Sequence, residues 1–115
     1  MQELSLNDIE AARKNLGGKI VKTPTLSLES NKIKSIFPTN SEVSIKLELY
    51  QHTGSFKARG NLLAVDGLSD DQKAQGVSSV SAGNHALAVS WAAKQVGTHA
   101  KLFMPETADP FRVEG

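Results

Sequence analysis

The sequence of 115 residues predicts an α/β fold built on parallel strands. Three segments with strand character, at 43–50, 77–81 and 100–104, alternate with helical segments, and this order is typical of parallel pairing through right-handed crossovers. Two polar, glycine-containing loops, 51–57 and 81–85, follow the first two strands. Ligands of parallel sheets bind beyond the carboxyl ends of the strands. The fold class therefore indicates a binding site at these two loops.

The N-terminal part predicts one helix and one extended segment. Ser5 or Asn7 can cap a helix because each has an acidic residue three positions later, and Gly17–Gly18 ends it. Residues 20–23 should be extended, since a residue before proline avoids the helical region. Residues 26–37 are ambiguous and compatible with a short helix, and a turn follows them.

The middle of the chain carries the clearest strand signal. Apolar and polar residues alternate strictly over 43–50, which is the period of a half-buried strand. A helix opened by Ser55 should then run to the acidic, turn-forming stretch 66–71. That stretch is the best candidate for a domain boundary in the sequence.

The last third predicts a strand, a helix, a strand and the start of another helix. An alanine-rich helix over 85–96 separates the strands 77–81 and 100–104, and Gly97 closes it. Asp109 is the expected cap of a final helix with Pro110 at its first position. Since the sequence contains only about one turn of that helix, we expect it to be the front of a longer protein.

Composition excludes several classes of function. Thirteen Lys and Arg against twelve Asp and Glu give a net charge of +1, so there is no basic field for nucleic acid or anionic lipid. The absence of cysteine excludes disulfides, thiolate metal sites and a cysteine nucleophile. The three histidines lack metal-ligand spacing. No apolar run approaches a membrane span, and residues 1–10 are too polar for a signal peptide, so we expect a cytoplasmic protein.

The loop after the first strand places Lys57 at the start of a helix. Backbone amides and the positive end of the helix dipole surround a lysine in that position, and both favour its uncharged, nucleophilic form. A lone lysine at a helix start more often faces solvent without a function. A serine–lysine hydrolase pair with Ser55 is disfavoured, because two residues apart at a helix start the side chains diverge.

The second loop changes the balance between these interpretations. Ser81, Asn84 and the amides of the following helix start can hold a carboxylate, and Asn84 can donate to a ring oxygen. Gly83 permits a sharp turn and a close backbone approach. A simple helix cap would explain the same residues. Neither the dinucleotide fingerprint nor the nucleotide phosphate loop is present in the sequence.

Two motifs in sequence carry a family resemblance. The first is Lys46-x-Glu48-x-x-Gln51-x-Thr53-Gly54-Ser55-Phe56-Lys57-Ala58-Arg59-Gly60, and the second is Ser81-Ala82-Gly83-Asn84-His85-Ala86. With Thr23–Pro24 and Met104–Pro105 they cover nearly the whole chain. The sequence resembles the threonine/serine dehydratase family, whose members are pyridoxal-phosphate enzymes of the tryptophan-synthase β fold, or fold type II.

The resemblance implies a role for each matched residue. Lys57 would bind pyridoxal phosphate covalently through its amine, Phe56 would pack against the pyridine ring, and Asn84 would hydrogen-bond the phenolic oxygen. The substrate carboxylate would be surrounded by the second loop, Ser81, Ala82, Gly83, Asn84 and His85. The glycine-rich phosphate cradle of the family would lie outside these 115 residues, and no metal ligands are implied.

The resemblance also implies two domains. Residues 1–68 would begin the large cofactor domain with the lysine loop, and residues 69–115 would begin a small domain with the substrate loop. This division separates the first strand from the other two, and we adopt it over a single sheet. The complete protein, a homo-oligomer, would eliminate water from threonine or serine to give a 2-oxo acid and ammonia. The 115 residues alone are expected to be inactive.

Three alternatives remain open at this point. The chain could be a catalytically inactive piece with a structural or interaction role, part of a serine racemase, or part of another synthase of the same fold. Cysteine and threonine synthases of the fold carry Asn-Thr where this chain has Asn84–His85, which favours the dehydratase branch. The sequence leaves open whether threonine, serine or a hydroxylated aspartate is preferred, and whether a metal or nucleotide activates the enzyme.

Overall fold

The structure, a computed structural model, describes residues 3–114. It consists of helices and short strands, with 3₁₀ turns in some of the connections. The helices are α1 (Leu6–Leu16), α2 (Asn31–Ile36), α3 (Lys57–Asp66), α4 (Asp70–Gln75), α5 (Asn84–Val96) and α6 (Pro110–Glu114). The strands are β1 (Thr25–Ser27), β2 (Ser44–Lys46), β3 (Val77–Val80) and β4 (Ala100–Phe103). Three 3₁₀ turns span Gly17–Lys19, Glu48–Tyr50 and His52–Gly54.

The strands form two separate two-stranded sheets. β3 and β4 pair in parallel, with Val77 opposite Ala100, and α5 makes the crossover between them. The parallel pair predicted for 77–81 and 100–104 is therefore confirmed. β2 pairs instead with β1 in antiparallel register, with Leu26 opposite Ile45. The first predicted strand thus lies in a different sheet from the other two.

The first predicted strand is shorter than its alternating pattern. The pattern covers 43–50, but β2 ends at Lys46, and Leu47 has φ −81° and ψ 69°, outside the strand region. The chain then enters the 3₁₀ turn Glu48–Tyr50. In this turn the side chain of Glu48 forms an ion pair with Arg59 of α3. A tertiary ion pair thus overrides the local strand preference.

Capping residues decide where several helices begin and end. The Ser5 Oγ accepts from the Asp8 amide at 3.3 Å while the Ser5 amide donates to the Asp8 carboxylate at 2.9 Å, a capping box that confirms one of the two predicted starts of α1. Gly97 closes α5 with φ 80°, a left-handed conformation that favours glycine. The Phe111 amide donates to Asp109 Oδ1 at 2.9 Å at the predicted start of α6.

Two elements were not predicted from the sequence. β1 overlaps the start of the ambiguous stretch 26–37, and α4 begins at Asp70, within the last two residues of the acidic stretch 66–71 that was assigned to a turn. Ser69 begins α4 through a capping box with Gln72, with an amide–hydroxyl distance of 3.3 Å. The Ser-x-x-Gln spacing is a helix-start signal that the sequence interpretation passed over. The connection from α3 to α4 is only Gly67–Ser69.

The core lies where α1, α3 and α5 meet. Leu16, Leu62, Val65 and Ala92 form one buried cluster, and Trp91 packs against it partly buried. This cluster joins residues on both sides of the boundary proposed after residue 68.

Within residues 3–114, no helix combines the length and apolarity needed to cross a membrane. The same range contains no group of three potential metal ligands.

Candidate active site

The structure brings the two predicted loops to one end of a helix pair. Lys57 is the first residue of α3 and Asn84 the first residue of α5, and these two helices pack against each other. Asn61, one turn after Lys57, places its Nδ2 3.2 Å from Nδ1 of His85. The lysine loop and the substrate loop are therefore neighbours, and the packing of α3 against α5 brings them together, since β2 and β3 lie in different sheets.

The lysine loop is anchored at its beginning by Gln51. This side chain is only 4% exposed, and its amide binds the backbone of Val21 in both directions. The Val21 amide donates to Gln51 Oε1 at 2.9 Å, and Gln51 Nε2 donates to the Val21 carbonyl at 2.8 Å. Both the oxygen and the nitrogen of the Gln51 amide are hydrogen-bonded, so its burial leaves no polar group without a partner.

The helix that carries Lys57 is anchored by an ion pair. Arg59 Nε donates to Glu48 Oε2 at 2.7 Å, and Arg59 Nη2 donates to Glu48 Oε1 at 2.7 Å. The hydrogen bond from Arg59 is the main reason that the pKa of Glu48 is lowered to about 2, and a further hydrogen bond from Thr23 acts in the same direction while burial opposes it. The same pair raises the pKa of Arg59. The bidentate geometry fixes direction as well as distance.

Thr23 and Lys46 complete this polar network. The hydroxyl of the buried Thr23 donates to Glu48 Oε1 at 2.5 Å, and Lys46 Nζ donates to the Thr23 carbonyl at 3.0 Å. Lys46, Glu48, Gln51 and Arg59 all belong to the first motif, and their hydrogen bonds join the segment 46–51 to residues 21–23 and to α3. Their function is structural: they hold the segment that presents Lys57.

An aromatic contact attaches the lysine loop to α5. The imidazole of His52 stacks on the indole of Trp91 with ring centroids 4.7 Å apart and an interplanar angle of 20°. The sequence analysis considered His52 only as a possible metal ligand. It missed the stack because Trp91 lies 39 positions later and no local pattern joins the two residues. The stack connects the turn His52–Gly54 to the helix that begins with the substrate loop.

The turn before Lys57 holds unusual backbone and side-chain features. Thr53 has φ 61°, a left-handed conformation that is rare for a β-branched residue. Among the residues described, Thr53 Oγ1 and Ser55 Oγ are buried side-chain oxygens that lack a hydrogen-bond partner. Buried hydroxyls without partners are costly and concentrate where a ligand or water completes them. The left-handed backbone of Thr53 and both unpartnered hydroxyls lie within four residues of Lys57.

Lys57 and Phe56 lie exposed at the open end of α3. Lys57 Nζ is 5.4 Å from the centroid of the Phe56 ring, and Phe56 is 62% exposed. An exposed phenyl ring next to an exposed amine offers a flat apolar surface beside a nucleophile. This arrangement suits an aromatic group held covalently by the amine.

The substrate loop is tied down at its start and open in its middle. The Ser81 amide donates to the Phe103 carbonyl at 3.1 Å, and Ser81 Oγ accepts from the Gly83 amide at 3.2 Å. Gly83 has φ −134°, so its backbone does not require glycine, contrary to the sharp turn expected from the sequence. A Cβ at Gly83 would meet no atom within 4 Å, so the absence of a side chain leaves open space above the loop.

The remaining predicted residues lie around that open space. Ala82 is half-buried, whereas Asn84 and His85 are exposed at the start of α5. The chemistry of these residues fits the lysine side of a pyridoxal-phosphate site: a nucleophilic amine, a flat apolar neighbour, an amide donor and room for a planar ring. The sequence interpretation found these residues but missed Asn61, which no motif distinguishes from other helix residues.

Comparison with known proteins agrees with this arrangement. Residues 18–115 match the family described as pyridoxal-phosphate dependent enzyme. A catabolic L-threonine dehydratase of Staphylococcus aureus is 44% identical over 109 residues, covering 91% of this chain and 30% of the relative. A phenylserine dehydratase of Ralstonia pickettii is 57% identical over 74 residues, covering 62% of this chain and 22% of the relative.

A solved structure gives the same result for the fold. Maize serine racemase superposes with a TM-score of 0.82 at 32% identity, covering 98% of this chain and 33% of the racemase chain. The chain thus spans about a third or less of the length of these relatives. The protein belongs to the pyridoxal-phosphate-dependent enzyme family, and its α/β structure corresponds to about a third of a fold type II member.

Proposed function

We propose that this chain is part of a pyridoxal-phosphate-dependent threonine/serine ammonia-lyase, which eliminates water from a β-hydroxy amino acid. The observation that carries the proposal is the placement of Lys57 beside Phe56 with the Ser81–His85 loop at the same end of the α3–α5 pair. The dehydratases among its relatives support the choice of reaction.

The residues around α3 and α5 would divide the work of binding. Lys57 would hold the cofactor covalently, Phe56 would cover one part of its ring, and the Asn84 amide would donate to its phenolic oxygen. The substrate carboxylate would lie over the second loop, Ser81, Ala82, Gly83, Asn84 and His85. The bound cofactor would supply an electron sink for the charge left on the substrate Cα.

Lys57 would also carry the proton transfer. Nζ would act as the general base that takes the Cα proton of the bound substrate, and the cofactor, when bound, would supply the sink for the charge left on Cα. The Cβ–O bond then breaks and hydroxide leaves, so proton and hydroxide together amount to one water. The released enamine hydrolyses to a 2-oxo acid and ammonia. The Arg59–Glu48 hydrogen bonds that anchor α3 support this role, because a fixed helix start would hold Nζ on one face of the substrate.

Ala82 argues for elimination rather than racemisation. Its methyl group has no exchangeable proton, so the far face of the substrate has no acid or base at this position. Elimination needs proton transfer on one face, whereas racemisation needs it on both. Serine racemase resembles this chain in fold, and a racemase therefore remains the second candidate.

The wider organisation follows the same proposal. Residues 1–68 would belong to the large cofactor domain and residues 69–115 to the small domain that closes over substrate. The chain's accessible surface of 8855 Å² exceeds the about 6,100 Å² expected for a folded monomer of this mass. We propose that the rest of the protein and a second subunit cover part of this surface, in a cytoplasmic homo-oligomer.

The direct test is the reaction of the complete protein. L-threonine and L-serine should each yield ammonia and the corresponding 2-oxo acid in the presence of pyridoxal phosphate, and Lys57→Ala should abolish both products. Lys94→Ala, at an exposed lysine in the last turn of α5, is the matched lysine control and should leave both products unchanged. Formation of no 2-oxo acid from either β-hydroxy amino acid would contradict the proposed reaction.

A further inference from the structure

Asn61 joins the helix of Lys57 to the substrate loop. It lies one turn after Lys57 on α3, and its Nδ2 is 2.9 Å from the Lys57 carbonyl and 3.2 Å from His85 Nδ1. One side-chain nitrogen therefore contacts both the residue proposed to hold the cofactor and a residue proposed to face the substrate.

The carbonyl of Lys57 determines which way the Asn61 amide faces. A backbone carbonyl can only accept a hydrogen bond, so the NH₂ group of Asn61, rather than its oxygen, must lie toward Lys57. This contact removes the usual ambiguity between the amide oxygen and nitrogen. The same NH₂ group then faces His85.

The orientation of Asn61 in turn favours one tautomer of the His85 ring. An amide nitrogen donates and does not accept, so the 3.2 Å contact is a hydrogen bond only when His85 Nδ1 is the unprotonated acceptor. A neutral imidazole with an accepting Nδ1 carries its proton on Nε2. His85 is exposed, so its Nε2–H remains available for a partner outside the described residues.

We propose that Asn61 is a positioning residue that holds His85 in the neutral Nε2–H tautomer. This inference rests on the proposed function for its purpose: Nε2–H is the donor that His85 would offer to the substrate carboxylate. Asn61 does not touch the substrate itself. It fixes the ring of His85 and also ties that ring to the first turn of α3, which carries Lys57.

The tautomer can be measured without cofactor or substrate. In the complete protein labelled with ¹⁵N-histidine, long-range ¹H–¹⁵N correlation spectra should show a protonated Nε2 and an unprotonated Nδ1 for His85, with His85→Gln identifying its signals. Asn61→Ala should give a mixture of tautomers. Asn61→Asp should favour a proton on Nδ1, because a carboxylate accepts where the amide donates.

Kinetics separate positioning from a general structural effect. Asn61→Ala should raise the KM for the amino acid roughly tenfold, the loss expected for one hydrogen bond to a charged group, with a smaller change in kcat. Asn15→Ala, an exposed asparagine in the last turn of α1, is the matched control and should change neither KM nor the His85 spectrum.

The outcomes distinguish this inference from the proposed function. A proton on Nδ1 of His85 in the wild-type protein, or a spectrum unchanged in Asn61→Ala and Asn61→Asp, would overturn the inference even if the enzyme is an ammonia-lyase. The expected spectra in a protein that forms no 2-oxo acid would support the tautomer assignment while the proposed reaction fails.

Discussion

Arg59 and Glu48 face each other through two hydrogen bonds of 2.7 Å, and this pair holds the first turn of α3 against the 3₁₀ turn Glu48–Tyr50. Arg59 is two residues after Lys57, so any shift of the pair shifts the lysine. The pKa of Glu48 is lowered to about 2, chiefly by the Arg59 hydrogen bond. The pair thus links the geometry of the proposed site to the stability of the fold.

Replacing Glu48 should lower stability and change its dependence on pH. Because the pKa of Glu48 is lower in the folded state, its contribution is complete above its ordinary value near 4.5 and is lost as the pH falls toward 2. We expect Glu48→Gln to cost about 2 kcal/mol at pH 7, since it leaves Arg59 without its charged partner. Thermal unfolding of the complete protein between pH 7 and 3 measures both effects.

An exposed ion pair is the control for this prediction. Lys19 Nζ lies 2.6 Å from Asp66 Oδ2, but the two side chains are 52% and 39% exposed. Asp66→Asn should therefore destabilise the protein much less than Glu48→Gln, because solvent screens an exposed pair. If Asp66→Asn destabilises the protein as much as Glu48→Gln, the Glu48–Arg59 pair has no special role in the fold.

Gln51 should be intolerant of truncation despite carrying no charge. Gln51→Ala removes both hydrogen bonds to the Val21 backbone and leaves buried polar groups without partners, so we expect a loss of about 2–3 kcal/mol. Gln72→Ala, which removes an exposed capping contact at α4, should cost about 1 kcal/mol or less. Chemical denaturation of the complete protein gives the free energy of unfolding of each variant. Equal losses would show that the hydrogen bonds of Gln51 to Val21 contribute no more than an exposed cap.

Ala82 should control the ratio of racemisation to elimination. In Ala82→Ser, a hydroxyl would provide a proton on the face of the substrate opposite Lys57, so the ratio should rise. Chiral chromatography of serine, with pyruvate measured in parallel, gives the ratio for each form. Wild-type protein that interconverts L- and D-serine as fast as it forms pyruvate would show that another group serves the far face.

The 115-residue chain by itself should have no useful dehydratase activity. It holds the lysine side of the proposed site without a glycine-rich phosphate cradle, and an incomplete site loses preorganisation. Val80 and Phe111 are 82% and 83% exposed, so the purified chain should also self-associate. Ammonia release above that of free pyridoxal phosphate, or a strictly monomeric chain by light scattering, would contradict the respective part of this prediction.

Local signals in the sequence were sufficient for the elements that use local rules. The Ser5 capping box, the Gly97 helix end and the β3–β4 pair were predicted because each depends on spacing within a short segment or on one crossover helix. The two loops were also expected at one end of the fold, but the expected reason, a shared parallel sheet, does not apply, because β2 and β3 lie in different sheets. The placement of Lys57 at the start of α3 follows from these rules, two residues later than the helix start expected at Ser55.

Contacts between distant residues could not be predicted in this way. The bidentate pair ends β2 earlier than its alternating pattern, and nothing in the pattern identifies Arg59 as the partner of Glu48. The stack of His52 on Trp91 and the contact of Asn61 with His85 join segments 39 and 24 residues apart. Only the packing of α3 against α5 brings these residues together. The resemblance named the reactive residues but not the ones that hold them.

The central claim is that Lys57 carries the cofactor. Borohydride reduction of the complete protein with pyridoxal phosphate, followed by proteolysis and mass spectrometry, fixes the cofactor to the lysine that bears it. We predict a single reduced pyridoxyl group on the peptide containing Phe56 and Lys57, and its loss in Lys57→Ala. A pyridoxyl group on Lys46, or on any other lysine instead of Lys57, would contradict the account.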